Sequence, residues 1–235
     1  MALPKLNDAP KYTITIPSTN KNLRFRPFLV KEEKVLLLAM ESEDQDHILQ
    51  AILDTITSCV VDELNTRELT TYDIEYLFTK IRAKSVGETT KVGLPCEACE
   101  ATNEIIIPVD DIGIKRNKDV KSIVELAPGM ELELRHPSYV ELFEDEIIKS
   151  GNTAESTFAM VRMCLKSLRT EDSIIELQKE NSKELDEFLE SMNTNQFESI
   201  REWIEHIPAM AHDIEFTCSC GHNNKTELRG IQSFF

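Results

Sequence analysis

The chain has little glycine and proline, and this absence removes several protein classes at once. Seven glycines and nine prolines occur among 235 residues, of which 41% are hydrophobic. Collagen-like and low-complexity chains need far more glycine and proline, and a phosphate-cradling loop needs several glycines close together. The composition therefore predicts an ordinary globular chain, long enough to bury a sizeable core.

Long apolar runs are also missing. No stretch approaches the roughly 20 apolar residues that a membrane-spanning helix requires. The first residues, MALPKLNDAPKYTITIP, lack the charged-then-apolar order of a secretory leader. We therefore expect no membrane contact, and a protein that stays in the cytoplasm of the cell that makes it.

Basic residues are scarce relative to acidic ones. The 26 lysines and arginines face 42 aspartates and glutamates, which leaves a net charge of −16. Such a charge repels a phosphate backbone, so no nucleic-acid partner is expected. The five histidines are scattered, and no nucleophile elbow or paired-carboxylate motif accompanies them. The sequence thus predicts no catalytic residues and a protein that is not an enzyme.

Hydrophobic periodicity predicts alternating helices and hairpins in the first half. KYTITIP and LRFRPF alternate as strands around a polar turn. Apolar residues then recur at helical spacing from Val35 to Ile56, and a helix that begins at Thr71 carries a stripe from Ile74 to Ile81. Strand-like TTKVGLP and NEIIIPV follow, on either side of a first cysteine pair.

The second half shows the same order. MELELRHP reads as a strand, Ser138 as the cap of a helix, and ESTFAMVRMCLKSL as one continuous helix that includes Leu165 and Leu168. Thr194 is the predicted cap of another helix. Strand-like HDIEFTC and NKTELRGI then lie on either side of a second cysteine pair.

This parallel order predicts an α+β fold of two pseudo-repeated halves, residues 1–115 and 116–235, that form one compact unit. Leu23–Arg26 resembles Leu132–Arg135, and Cys59 and Cys164 occupy equivalent apolar positions as small core residues. The other interpretation is that amphipathic helices and hairpins resemble one another without common ancestry. In the duplicated fold, the two cysteine-bearing hairpin tips meet as in a zinc ribbon.

Four of the six cysteines occur in two close pairs, CEAC and CSC, and predict a structural Zn²⁺ site. Tetrahedral zinc takes four sulfur or nitrogen donors, and a tight turn can supply two of them. The candidate ligands are Cys96, Cys99, Cys218 and Cys220, with His222 as the alternative to Cys220. The four-cysteine set is preferred because Gly221 can adopt a positive φ after Cys220. A disulfide or free thiols are the competing interpretations, which a cytosolic setting disfavours.

Two segments are candidates for partner contact. KNLRFRPFLVKEEK is the most basic stretch of the chain, and the sequence ends in GIQSFF. Aromatic and arginine side chains are frequent interface anchors, so the predicted partner-binding residues are Arg24, Arg26, Phe28, Phe234 and Phe235. The alternative is that these phenylalanines pack into their own core and that the arginines pair with local acids.

The opening segment LPKLNDAPKYTITIPSTNKNLRFRPFLVKEEKVLLLAMES, the CEAC hairpin and the closing FTCSCGHNNKTELRGIQSFF resemble the baseplate hub subunit and hub-assembly proteins of T-even-like contractile-tailed bacteriophages. The resemblance covers essentially the whole chain. It implies a non-enzymatic structural or chaperone-like assembly protein of the tail baseplate hub, with other hub proteins as partners. It also implies a location in the host cytoplasm during assembly, or in the baseplate of the virion.

Two other functions compete with this interpretation. A zinc-ribbon regulator would bind nucleic acid, but its hairpin tips would carry lysine, arginine and aromatic residues, whereas Glu97 and Glu100 stand beside the first pair. A metal hydrolase would need an open coordination position and a nearby general base. Neither cysteine pair has a histidine–glutamate arrangement of that kind.

Overall fold

The computed structural model describes residues 9–117, 120–150 and 153–234. These residues form an α+β fold, as the sequence predicts. None of their helices is both long enough and apolar enough to cross a bilayer. The helices are α1 (Val30–Glu41), α2 (Gln45–Cys59), α3 (Thr71–Ser85), α4 (Tyr139–Glu144), α5 (Glu146–Ser150), α6 (Thr153–Cys164), α7 (Ser182–Glu190) and α8 (Thr194–Glu205). The strands are β1 (Tyr12–Thr15), β2 (Asn22–Phe25), β3 (Thr89–Pro95), β4 (Thr102–Pro108), β5 (Gly113–Lys115), β6 (Ile123–Ala127), β7 (Met130–Leu134), β8 (Leu165–Arg169), β9 (Ile174–Glu176), β10 (Ala209–Thr217) and β11 (Asn223–Arg229).

The chain divides into two compact units. The first contains the chain up to Thr66, Tyr72–Lys115 and the chain from Ala209 onward; the second contains Arg67–Thr71 and Arg116–Pro208. These units do not follow the predicted repeats of 1–115 and 116–235, because the hairpin after Ala209 packs in the unit that holds most of the first repeat. The duplication itself concerns ancestry and stays a prediction.

In the first unit, both cysteine-bearing hairpins share one hydrophobic core. Strands β3 and β4 pair antiparallel, and β10 pairs antiparallel with both β11 and β5 in a three-stranded sheet. Side chains from each hairpin meet in a single cluster, and burial of this apolar surface sets the hairpins side by side. The buried members of the cluster are Leu94, Ile107, Ile112, Met210, Ile214, Leu228 and Phe234.

The second unit is built on a four-stranded antiparallel sheet of order β6-β7-β8-β9, whose core includes Leu132, Ile200 and Trp203. Here the predicted continuous helix over ESTFAMVRMCLKSL is wrong, since α6 ends at Cys164 and β8 begins at the next residue. Strand β8 pairs with β7 and buries Leu165 and Leu168. The local spacing of these leucines is compatible with helix or strand, and sheet pairing decides between them.

Helix starts follow capping chemistry, with one correction. The Ser138 hydroxyl accepts a hydrogen bond from the Glu141 amide and caps α4 as predicted. The predicted cap of α8 at Thr194 is wrong, because Asn193 caps that helix. The Asn193 side chain accepts a hydrogen bond from the Gln196 amide, and Gln196 accepts one from the Asn193 amide in return.

An arginine–glutamate pair anchors the start of α1 in the first unit. The Arg26 guanidinium lies 2.9 Å from the Glu32 carboxylate, and that carboxylate also accepts the Leu29 amide hydrogen bond at 2.8 Å. The backbone amide of Arg26 donates to the carbonyl of Cys59 at the end of α2. Glu32 is therefore buried with its charge compensated.

The second unit contains the same local arrangement. The Arg135 guanidinium lies 2.6 Å from the Glu141 carboxylate, which accepts the Ser138 amide hydrogen bond at 2.7 Å. The Arg135 amide donates to the carbonyl of Cys164. The arginine and the glutamate each recur at the same offset (135 − 26 = 109 and 141 − 32 = 109). The two units therefore contain this arrangement at equivalent positions of the sequence.

Candidate metal-binding site

The first hairpin tip is a tight turn between β3 and β4. The Cys96 amide donates to the Ala101 carbonyl at 3.0 Å, and the Glu100 amide donates to the Cys96 carbonyl at 2.8 Å. Glu100, which follows the second cysteine, has a positive φ of 59°. A non-glycine residue rarely adopts that conformation, and the backbone reversal at this point lets both sulfur atoms, of Cys96 and Cys99, serve one site.

The second tip, between β10 and β11, follows the same plan with one residue fewer between its cysteines. The Cys218 amide donates to the His222 carbonyl at 2.9 Å, and the Gly221 amide donates to the Cys218 carbonyl at 2.8 Å. Gly221 has a φ of +88°, as the sequence leads us to expect. In both tips a positive φ directly follows the second cysteine, because the chain must turn back at once into the next strand.

The four predicted cysteine ligands come together at one point in the first unit. The sulfur atoms of Cys96 and Cys220 lie 3.8 Å apart, and those of Cys99 and Cys218 lie 3.7 Å apart. All four sulfur atoms fall within 4.8 Å of one another. A regular tetrahedron with zinc–sulfur bonds of about 2.3 Å has sulfur–sulfur edges of about 3.8 Å. The four cysteines are therefore close enough to bind a metal ion.

The geometry favours Cys220 over His222 as the fourth ligand. Cys220 belongs to the sulfur cluster, and His222 does not. The His222 side chain is 41% exposed, and its Nε2 lies 3.9 Å from the carboxylate of Glu97. His222 therefore lies beside the cluster rather than in it.

The cluster is buried on one side and open on the other. Cys96 is 1% exposed and Cys218 is 3% exposed, whereas Cys99 and Cys220 are exposed at the turn. Each tip thus contributes one inner and one outer sulfur atom. Four protein sulfur donors complete a tetrahedral site and leave no position for a water molecule, which is the pattern of structural zinc sites.

Hydrogen bonds within the cluster shift the pKa values of its thiols, downward for Cys218 and upward for Cys99. A hydrogen bond from the Cys220 amide, opposed by burial and helped by the Cys99 thiol, lowers the pKa of Cys218 to about 6. The pKa of Cys99 rises to about 12: the Ala101 amide acts to lower it, but the neighbouring sulfurs of Cys220, Cys218 and Cys96 outweigh that amide. Crowded sulfurs of this kind repel one another once ionised, and a bound dication would remove that repulsion.

Asn224 connects the two tips, and the sequence analysis missed it. Its side-chain amide donates to the Cys96 sulfur at 3.6 Å and to the His222 carbonyl at 3.3 Å. Its oxygen accepts a hydrogen bond from the Glu97 amide at 2.9 Å. Asn224 is only 3% exposed. A polar residue at an inward-facing strand position, four residues before the buried Leu228, was the available signal.

Some of the residues predicted to bind another protein instead make contacts within this chain. Arg24 pairs with Asp62 at 2.6 Å while its side chain stays 60% exposed, and Arg26 pairs with Glu32. Phe28 is half-buried, and Phe234 is 1% exposed in the core. Phe235 lies outside the described residues. Phe234 and Arg26 thus match the self-docking alternative, and partner binding at these positions stays a prediction.

The remaining two cysteines are core residues, as expected. Cys59 and Cys164 are fully buried at the ends of α2 and α6. Burial raises the pKa of Cys59 to about 11 and that of Cys164 to about 12. Both side chains are therefore neutral thiols at physiological pH and act as small apolar groups.

The chain matches a known protein family. The family described as "T4 bacteriophage base plate protein" matches residues 9–235. The match extends over both compact units and includes all four clustered cysteines. No curated protein and no solved structure matches the chain significantly.

Proposed function

The chain belongs to the T4 bacteriophage base plate protein family, and on that premise we propose that it is a non-enzymatic structural or assembly protein of the baseplate hub. The observation that carries the proposal is the family match from residue 9 to residue 235. Its partners are then other baseplate proteins, those of the hub in particular. It acts in the host cytoplasm during tail assembly or as part of the virion baseplate.

Zn²⁺ is the proposed ligand of the cysteine cluster, and its role is structural. Four thiolates suit zinc better than the hard cations, which prefer oxygen donors. The ion would join two turns that stand 119 residues apart in sequence. Closing so long a loop lowers the entropy of the unfolded chain, and structural zinc binding adds directly to folding free energy. The metal would thus hold the two hairpins in a fixed relation within the first unit.

The four-sulfur donor set also supports a non-enzymatic role. Catalytic zinc sites combine three protein ligands with an open position for water or substrate. Here four sulfur atoms lie within 4.8 Å of one another, which is enough donors to fill a tetrahedral site without a water molecule. The site is suited to holding a surface in shape rather than to activating water.

Charges on the two hairpins favour protein contacts over nucleic-acid contacts. Lys91 on β3 pairs with Glu104 on β4, and Lys225 on β11 pairs with Glu215 on β10. Lys115 on β5 pairs with Asp213 on the neighbouring strand β10 and with Glu227 on β11. Cations neutralised in this way add little to the positive potential that a phosphate backbone requires.

Affinity capture from infected cells tests the proposal. The tagged protein is expressed during phage infection and captured at two salt concentrations, with an untagged infection as the control. Recovery of other baseplate hub proteins supports it. Recovery of nucleic acid or polymerase that is lost at high salt would instead identify a zinc-ribbon regulator. Immunoblotting of purified virions then separates a structural component, which remains in the particle, from an assembly factor, which does not.

A further inference from the structure

Helix α1 exposes several large apolar side chains to solvent. Val30 is 78% exposed, Leu37 and Leu38 are each 56% exposed, and Met40 is 55% exposed. Val35 is 48% exposed. Several large apolar side chains exposed on one helix can mark a site of association.

Contacts on the inward side of α1 explain why Leu37 and Leu38 are exposed. Glu32 is the only buried residue of the helix, and its pairing with Arg26 fixes which side faces the protein. Leu36 and Ala39, four and seven residues later, lie on that same side and are half-buried. Leu37 and Leu38 are consequently held on the opposite side, away from the core.

The charges of α1 are polarised along the helix. Its first half carries the exposed residues Lys31, Glu33 and Lys34, whose charges sum to +1. Glu41 and Glu43, at the end of the helix and just after it, are both negative and exposed. A helix with this distribution matches an oppositely directed copy of itself, because each positive end then lies beside a negative end.

The residue spacing is symmetric about the exposed leucines. Lys34, Leu37, Leu38 and Glu41 are spaced i, i+3, i+4 and i+7, so they form one outward stripe. The midpoint between Lys34 and Glu41 coincides with the midpoint between Leu37 and Leu38. In an antiparallel pair related by a two-fold axis at that midpoint, the leucines of the two copies meet at the axis and each lysine faces the partner's glutamate.

We propose that α1 forms an isologous dimer interface, in which it packs antiparallel against α1 of a second copy of this chain. A two-fold interface must be self-complementary, and this stripe meets that condition in both shape and charge. A parallel arrangement would place like charges together, and a uniformly basic or uniformly acidic partner would match only one end. The helix is about 18 Å long, so an interface of the standard size, roughly 800 Å² per partner, would also have to include residues that flank it. The proposal goes beyond the baseplate role and does not depend on it.

Sedimentation velocity of the full, metal-loaded chain over a concentration series tests this dimer. Wild-type protein is expected to shift from monomer to dimer. Lys34→Glu and Glu41→Lys should each weaken dimerisation about tenfold or more, because each places like charges across the axis. The double variant, Lys34→Glu with Glu41→Lys, should restore the dimer because it re-creates both pairs in swapped form. Glu63→Lys, the same charge change at an exposed acid outside α1, is the control and should leave dimerisation unchanged.

Circular dichroism and metal content confirm that each variant folds, which is expected since all the altered side chains are exposed. A wild-type chain that stays monomeric up to about 100 µM, where a dimer with a Kd near 10 µM would be mostly formed, overturns the proposal. So does a dimer that neither single variant weakens. If the single variants dissociate and the double variant does not recover, the antiparallel pairing is wrong. None of these results depends on which proteins are captured from infected cells.

Discussion

The side-chain amide nitrogen of Asn224 lies 3.6 Å from the sulfur of Cys96, although the two residues belong to different hairpins. The same amide group accepts the Glu97 backbone hydrogen bond and donates to the His222 carbonyl. One buried side chain therefore orients both turns of the four-cysteine cluster. Hydrogen bonds to ligating atoms orient those atoms and contribute to metal affinity.

Replacing Asn224 should weaken metal binding although every ligand remains. For Asn224→Ala we expect a loss of zinc affinity of about 10- to 100-fold, since the Cys96 sulfur loses a donor and the Glu97 amide loses its acceptor. Competition with a chromogenic chelator measures the affinity. Asn223→Ala, at the adjacent exposed position, is the matched control. Equal affinities for the two variants would show that Asn224 does not position the ligands.

Removing an inner ligand should destabilise the protein and release the metal together. Cys96→Ser is expected to abolish stoichiometric zinc binding and to lower the melting temperature by roughly 10 °C, because the loss of a structural site costs on the order of several kcal/mol. Elemental analysis and differential scanning calorimetry provide the two readouts. Cys59→Ala, at a buried cysteine outside the cluster, should lower stability through a small cavity but keep the metal. Unchanged metal content and melting temperature in Cys96→Ser would contradict the zinc site.

The fourth ligand can be identified by a paired substitution. Cys220→Ser should reduce zinc affinity strongly, because it removes a sulfur atom that lies 3.8 Å from that of Cys96. His222→Ala should keep the affinity within about a factor of a few, since its ring lies beside the cluster rather than in it. Cobalt substitution adds a spectroscopic test, since the thiolate charge-transfer bands report how many sulfur atoms bind. The reverse order of effects would assign the site to three cysteines and His222.

Lowering the pH should remove the contribution of the buried Glu32 carboxylate to the free energy of unfolding. Burial acts to raise its pKa, but the hydrogen bonds from Arg26 and from the Leu29 amide outweigh burial and lower the pKa from 4.5 to about 2. Because the folded-state pKa is below the unfolded one, this stabilisation is fully present above about pH 4.5 and is lost as the pH falls toward 2. At neutral pH, Glu32→Gln should cost about 2 kcal/mol of unfolding free energy.

Urea unfolding at a series of pH values checks this prediction. The difference between wild type and Glu32→Gln should be constant from neutral pH down to about 4.5 and should then shrink. Glu33→Gln, on the exposed side of the same helix, is the control and should differ little from wild type. A difference that grows as the pH falls would show that Glu32 does not stabilise the fold as an ion pair.

Short-range patterns predicted much of the cysteine site. Two residues between Cys96 and Cys99, and a glycine directly after Cys220, are local features of a turn that can present sulfur atoms, so sequence spacing is sufficient to recognise them. The meeting of the two pairs was inferred from the repeated order of elements, and the shared core of the two hairpins brings it about. The role of Asn224 was not predicted because a single asparagine in a strand has no distinctive spacing.

Burial was harder to predict than element type. The apolar run of α1 was correctly assigned to a helix, but Leu37 and Leu38 lie outside the core because the Arg26–Glu32 pair sets the rotation of the helix. Leu165 and Leu168 suit a helix or a strand equally well by spacing, and the pairing of β8 with β7 selected the strand. Neither the Arg26–Glu32 ion pair nor the pairing of β8 with β7 can be read from hydrophobic spacing alone.

The amino-acid sequence by itself determined the α+β class, the two cysteine turns and the acidic character of the chain, because these depend on composition and on spacings of a few residues. Only the tertiary structure decided that Cys220 rather than His222 joins the cluster, that the last hairpin packs in the first unit, and which side of α1 faces solvent. Those outcomes depend on which segments bury surface against each other. The free energy gained by that burial is a property of the assembled core rather than of any single segment.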